Sequence, residues 1–205
     1  MDKFDFKKTY RALYRPGSTP ALVQVPALRF LTLDGTGAPE GQVYQQGVGA
    51  LYALAWSIKM GRLSGQAPEG YHPYVMPPLE GLWQLEEGLS TPRARWKWCS
   101  LLAQPAFVTP DVLEQAAQQV RRKHPELPVE RVRLETRKEG LCVQLLHTGP
   151  YAEEARNFSR LLRFLEEHGL QRREPLWHHE IYLSDPRRCA PDRLKTVLRM
   201  TVAGQ

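Results

Sequence analysis

His178, Glu180 and Tyr182, in the segment WHHEIYL of this 205-residue chain, combine an imidazole, a carboxylate and a phenol at two-residue spacing. In a strand, alternation puts these three on one face and Trp177, His179, Ile181 and Leu183 on the other. The second set is the natural core face. The first then faces a groove, from a strand expected to be central in its sheet. If aromatic walls dry that groove, desolvation should raise the proton affinity of Glu180. That suits it to take a proton from water or to hold a cationic ligand. A structural ion pair with one of the many arginines is the alternative.

The aromatic residues that would build such walls come earlier in the chain: Tyr44, Tyr71, Tyr74, Trp83, Trp96 and Trp98. An aromatic wall opposite an acid makes a cage for flat or cationic molecules. Trp96 and Trp98 read equally well as plain core. Other chemistries find little support. The chain has no nucleophile elbow, Walker loop or HExxH motif. Adjacent strand residues point to opposite faces, so His178 and His179 do not form a metal pair, and neither metal nor cofactor is expected.

The elements that must position these residues follow from periodicity. A short polar helix is expected over 6–14 and a strand bent at Pro26 over 22–33. A helix with apolar residues at three- and four-residue spacing then runs from Tyr44 to Gly61. An edge strand is expected at 71–77, a turn over 78–88 with a short strand around Trp83, and a further strand over 95–102 with Trp96 and Trp98 on one face. Thr109-Pro110 should cap a connecting helix over 110–124. Strands at 129–137 and 141–147, a helix over 151–168 closed by Gly169, and strands at 177–183 and 195–202 complete the chain.

An internal echo organises this order. The run 27–34 (ALRFLTLD) with its glycine turn is repeated at 140–147 (GLCVQLLH) with Thr148-Gly149-Pro150. The expectation is one domain over 1–205, with pseudo-repeats at about 20–105 and 128–205. Its fold class is α+β: two strand-helix-strand-strand repeats form an antiparallel sheet, with helices on one face and a ligand groove on the other.

Composition sets bounds. With 42% hydrophobic residues the chain can bury a sizeable core, and three widely spaced cysteines offer neither a disulfide framework nor a CxxC motif. A reducing cytoplasm fits, and neither secretion nor membrane insertion is expected. The net charge of +6 is dispersed in short basic clusters without a nucleic-acid motif, so direct nucleic-acid binding is not expected.

FDFKK from Phe4, FLTLDG from Phe30, PPLEGLW from Pro77 and HHEIYLSDPRR from His178 stand in this order and at this separation across nearly the whole chain. In these strings the sequence resembles the stand-alone gyrase-inhibitor-like (GyrI-like) small-molecule-binding proteins. The resemblance implies a central groove in which Glu180 is the ligand-associated acid. It further implies, by likeness to the cyclopropanoid cyclopropyl hydrolases of this branch, that Glu180 activates water against the strained ring of DNA-alkylating aromatic compounds. Tyr71, Tyr182 or Trp98 would then donate to the conjugated carbonyl, while Tyr44, Tyr74, Trp83, Trp96, Trp98 and His178 hold the ligand. The alternative is a non-catalytic binder of cationic aromatic drugs, or a regulatory protein with a protein partner such as gyrase.

Overall fold

In a computed structural model, described for residues 3–61, 65, 67–85, 90–173 and 177–203, the chain is α+β and its strands pair antiparallel. The helices are α1 (Phe6–Thr9), α2 (Arg11–Tyr14), α3 (Gln42–Met60), α4 (Pro110–Lys123) and α5 (Glu154–Glu167). The strands are β1 (Ala21–Thr36), β2 (Leu79–Gln84), β3 (Lys97–Gln104), β4 (Arg133–Thr148), β5 (His178–Tyr182) and β6 (Lys195–Thr201). None of the described helices is long and apolar enough to cross a membrane.

The residues gather into two compact units. One comprises Met1–Asp5, Leu28–Pro77 and Leu85–Arg137, the other Phe6–Ala27, Pro78–Gln84 and Lys138–Gln205. In the first unit β1 pairs with β3, Leu31 opposite Leu102 and Gly35 opposite Trp98. A Cβ on Gly35 would lie 2.2 Å from the Trp98 ring, so only glycine lets the indole lie across the strand there. Helix α3 is apolar on the face carrying Leu51, Leu54, Ala55 and Ile58, all buried. α4 begins as expected, with Thr109 Oγ1 accepting from the Val112 amide at 3.3 Å and Pro110 in the first turn.

In the second unit β5 is flanked by β2 and β6, and β6 pairs with β4. Leu161 and Leu165 of α5 pack with Val143 and Leu145 of β4 and Leu198 and Met200 of β6. Burying an aliphatic side chain of this size is worth about 1.5–3 kcal/mol, and this cluster seats α5 over its strands.

Three expectations are corrected. Residues 71–77 form no strand: Tyr74 makes only an isolated bridge to Phe4, in a proline-flanked stretch with few free amides for a ladder. The two strands expected at 129–137 and 141–147 are one strand, β4, preceded by a 3-10 turn at Val129–Arg131. Gly140, at φ +76°, carries the chain through without ending the pairing. Trp96 lies just outside β3, after the 3-10 turn Arg93–Arg95. The far end of the expected turn at 78–88 falls outside the described residues.

Candidate functional site

β5 alternates as the sequence requires: His179 and Ile181 are buried, while His178, Glu180 and Tyr182 share the partly open face. The Glu180 side chain is 13% exposed and held from two sides. His178 Nε2 lies 3.0 Å from Oε1, and the Tyr182 hydroxyl donates to Oε2 at 2.8 Å. Behind the phenol, Trp83 Nε1 donates to the Tyr182 oxygen at 2.8 Å. Indole, phenol and carboxylate thus form a polarised chain, each donor strengthening the next. Glu180 pairs with an imidazole and a phenol, whereas Glu139, near the other face of β5, pairs with Arg199.

Gly81 makes this chain possible. It stands opposite Glu180 on β2, and a Cβ there would lie 2.8 Å from Trp83 Nε1 and 3.1 Å from the Tyr182 hydroxyl. A side chain at 81 would occupy the space in which indole and phenol meet.

Helix α5 and the turn before it cover this face of β5. The Tyr151 ring stands edge-on to Tyr182 with centroids 5.9 Å apart, and Phe158 stands edge-on to His178 at 4.6 Å. Between them is Glu154, buried in the first turn of the helix. Burial first, and then the charge of Glu180, push the Glu154 carboxyl up to about 9, with the Thr196 hydroxyl acting the other way. Burial and the charges of Glu154 and Glu180 push Tyr151 up to about 12. His147 fixes the turn that launches α5: its Nδ1 accepts from Asn157 at 2.8 Å, which leaves Nε2 to donate to the Pro150 carbonyl at 3.1 Å.

The opposite face of β5 is ionic. His179 Nε2 lies 2.9 Å from Glu80 Oε2, and Nδ1 lies 3.0 Å from Glu139 Oε1. Glu139 Oε2 accepts from Arg199 Nη1 at 2.8 Å, and Glu80 Oε1 accepts from the Tyr14 hydroxyl at 2.8 Å. Arg199 also donates to Gln144 and to the Leu13 carbonyl, both at 3.0 Å. Two carboxylates, one imidazolium and one guanidinium balance in charge. Despite burial, the two glutamates push His179 up to about 9, and His179 with Arg199 holds Glu139 well below the carboxylate range.

The second unit therefore brings Glu180, Tyr182, His178 and Trp83 together. Tyr44, Tyr71, Tyr74, Trp96 and Trp98 belong to the first unit. There Tyr44 stands edge-on to buried Trp98 at 5.0 Å, and buried Tyr74 packs on Phe107 with Lys59 over its ring. Tyr71 is partly open and donates to the Lys59 carbonyl at 3.1 Å; Trp96 donates to the Thr91 carbonyl at 2.8 Å. The Trp98 indole N–H is buried and has no hydrogen-bond partner among the described residues. No cluster of metal-ligating side chains occurs among the described residues.

The model of the GyrI-like small molecule binding domain matches residues 18–202. The chain belongs to this family. A GyrI-like likeness also appears in solved structures from Listeria innocua. An uncharacterized conserved protein is 43% identical, with 98% of this chain and 100% of that one covered and a TM-score of 0.93. Two crystal structures of a hydrolase from the same organism are each 41% identical over 98% of this chain and 100% of theirs, with TM-scores of 0.91 and 0.93. No curated protein matches.

Sequence reasoning missed the approach of Glu154 to Glu180. An acid in the first turn of a helix reads as a complement to the helix dipole. The signal that points elsewhere is its place on the stripe of α5 that carries Phe158, Leu161 and Leu165.

Proposed function

We propose that this GyrI-like protein is a hydrolase that opens the cyclopropane ring of electrophilic, DNA-alkylating aromatic compounds. The observation that carries this reading is the carboxylate of Glu180, held by Tyr182 and His178 on the partly open face of β5, in a chain 41% identical to proteins described as hydrolases. Glu180 takes a proton from water; the water oxygen bonds to the ring methylene; the strained carbon–carbon bond breaks. Its electron pair moves through the conjugated system to the carbonyl oxygen, which gains a proton and becomes a phenol. Tyr182 and His178 aim the carboxylate. Trp83, whose indole holds the Tyr182 hydroxyl, completes this set within the second unit, in a protein working in the reducing cytoplasm.

A second reading, binding without turnover, is favoured by the small-molecule-binding character of the family. It would make the protein a sequesterer of cationic aromatic drugs or a regulator with a protein partner such as gyrase.

Mass spectrometry under multiple turnover, with a cyclopropane-bearing duocarmycin-type compound, separates the two. We expect wild type to add water and Glu180→Gln to lose at least a hundredfold in rate, the usual scale for removing a general base. The compound recovered intact from wild type would refute hydrolysis and leave the binding reading.

A further inference from the structure

Glu154 and Glu180 face each other as the middle rung of a ladder between a helix and a strand. Residues 151, 154 and 158 recur at the three- and four-residue spacing that aligns side chains on one helical face. Residues 182, 180 and 178 recur at the two-residue spacing of one strand face. The outer rungs are ring contacts, Tyr151 on Tyr182 at 5.9 Å and Phe158 on His178 at 4.6 Å, so the middle rung sets one carboxyl against the other.

The surroundings of Glu154 suit a neutral acid. The residue is 6% exposed, and its Oε1 is buried without a hydrogen-bond partner among the described residues. An ionised carboxylate there would lack water, would have little beyond the Thr196 hydroxyl to donate to it, and would stand beside a second negative charge. The groups around it are Glu180, His178 and Tyr182 on β5, Thr196 on β6, Tyr151 before α5, and His147 on β4, whose ring nitrogens are already engaged. No lysine or arginine among the described residues acts on Glu154.

We propose that Glu154 carries a proton in the empty site, and that an aromatic cation settling beside Glu180 drives that proton into solvent. No covalent bond changes except the O–H of Glu154, whose proton passes to buffer while the cation takes over its charge. The site therefore holds one negative charge when empty and exposes a second to a cation. Cationic aromatic ligands bind more tightly as pH rises towards 9, and neutral ligands do not, because binding and proton loss are reciprocal. Glu154 acts through Glu180 and is a positioning residue. The inference rests on the reading that Glu180 faces the ligand, but not on ring opening.

Two measurements test it. Infrared titration of the free protein should show a protonated-carboxyl band at neutral pH that fades as pH rises through about 9. The band should be absent from Glu154→Gln, and its midpoint should fall in Glu180→Gln, where the neighbouring charge is gone. Absence of the band from wild type at neutral pH overturns the proton on Glu154. Calorimetric titration with N-methylquinolinium, a fixed monocation, should show proton release and severalfold tighter binding at pH 9 than at pH 7. Neutral quinoline should bind equally at both. No binding of the cation, or equal binding at the two pH values, overturns the linkage. Wild type alone decides each point if a variant fails to fold. Failure of cyclopropane hydrolysis would leave both readouts untouched.

Discussion

At the scale of single residues, the site depends on what is small as much as on what is reactive. Gly81 gives up its side chain so that the Trp83 indole can reach the Tyr182 hydroxyl, which in turn holds Glu180. Gly81→Ala places a methyl 2.8 Å from the indole nitrogen and must push Trp83 or Tyr182 away. We expect a loss of about 1–3 kcal/mol in stability, the usual cost of overpacking. If Glu180 is the base, turnover should fall with it. The check is urea denaturation beside the turnover assay, and an unperturbed variant with full activity would show that the indole–phenol contact is dispensable. Little of this was legible beforehand. PPLEGLW marks Trp83 as a candidate, but nothing local tells that Gly81 faces it across a rung.

At the scale of elements, β5 joins two different chemistries through its alternation. One face offers Glu180 to the site; the other anchors the strand through His179 to Glu80 on β2 and Glu139 on β4, with Arg199 on β6 closing the set. Arg199 and Gln144 also reach the backbone of α2, through the carbonyls of Leu13 and Ala12, so the same network ties down the N-terminal helix. Removing one member leaves a buried charge uncompensated. Arg199→Met should cost about 3–5 kcal/mol, whereas Thr109→Ala, which deletes only the cap of α4, should cost about 1 kcal/mol. Thermal unfolding of the two variants checks the contrast, and equal losses would mean that the buried network does not hold the element. Alternation along 177–183 foretold which side chains share a face. It also led to an apolar reading of the buried face, because the partners of His179 lie at positions 80 and 139.

At the scale of the whole molecule, buried titrations set a stability window. His179 binds its proton more tightly folded, about 9 against an ordinary 6.5, so its contribution is complete below 6.5 and is lost as pH rises through 9. Glu154, raised from 4.5 to about 9, declines over the same alkaline approach and begins earlier. Glu139, lowered by His179 and Arg199, contributes above 4.5 and is lost as pH falls. The three together place maximum stability near pH 4.5, with a shallower fall towards 6.5 and a steeper one from there to 9. We expect Tm to fall steadily from pH 6 to pH 9, and Glu154→Gln, neutral throughout, to flatten that fall. Calorimetric scans across pH 4–10 read this directly, and a wild-type Tm that is level from 6 to 9 would contradict it.

The sequence by itself determined the α+β class, the positions of α3, α4, α5, β5 and β6, the faces of β5 and the family, because periodicity, caps and motif strings are properties of neighbouring residues. It misjudged the stretch at 71–77 and the continuity of β4, where proline and glycine leave local alternatives close in energy and pairing decides between them. Only the tertiary structure set Glu154 against Glu180 and gave His179 its two carboxylates. Those meetings depend on strand register and on how a helix is seated by its apolar stripe. Both are long-range outcomes, fixed by burial across the fold and not by the spacing of residues along the chain.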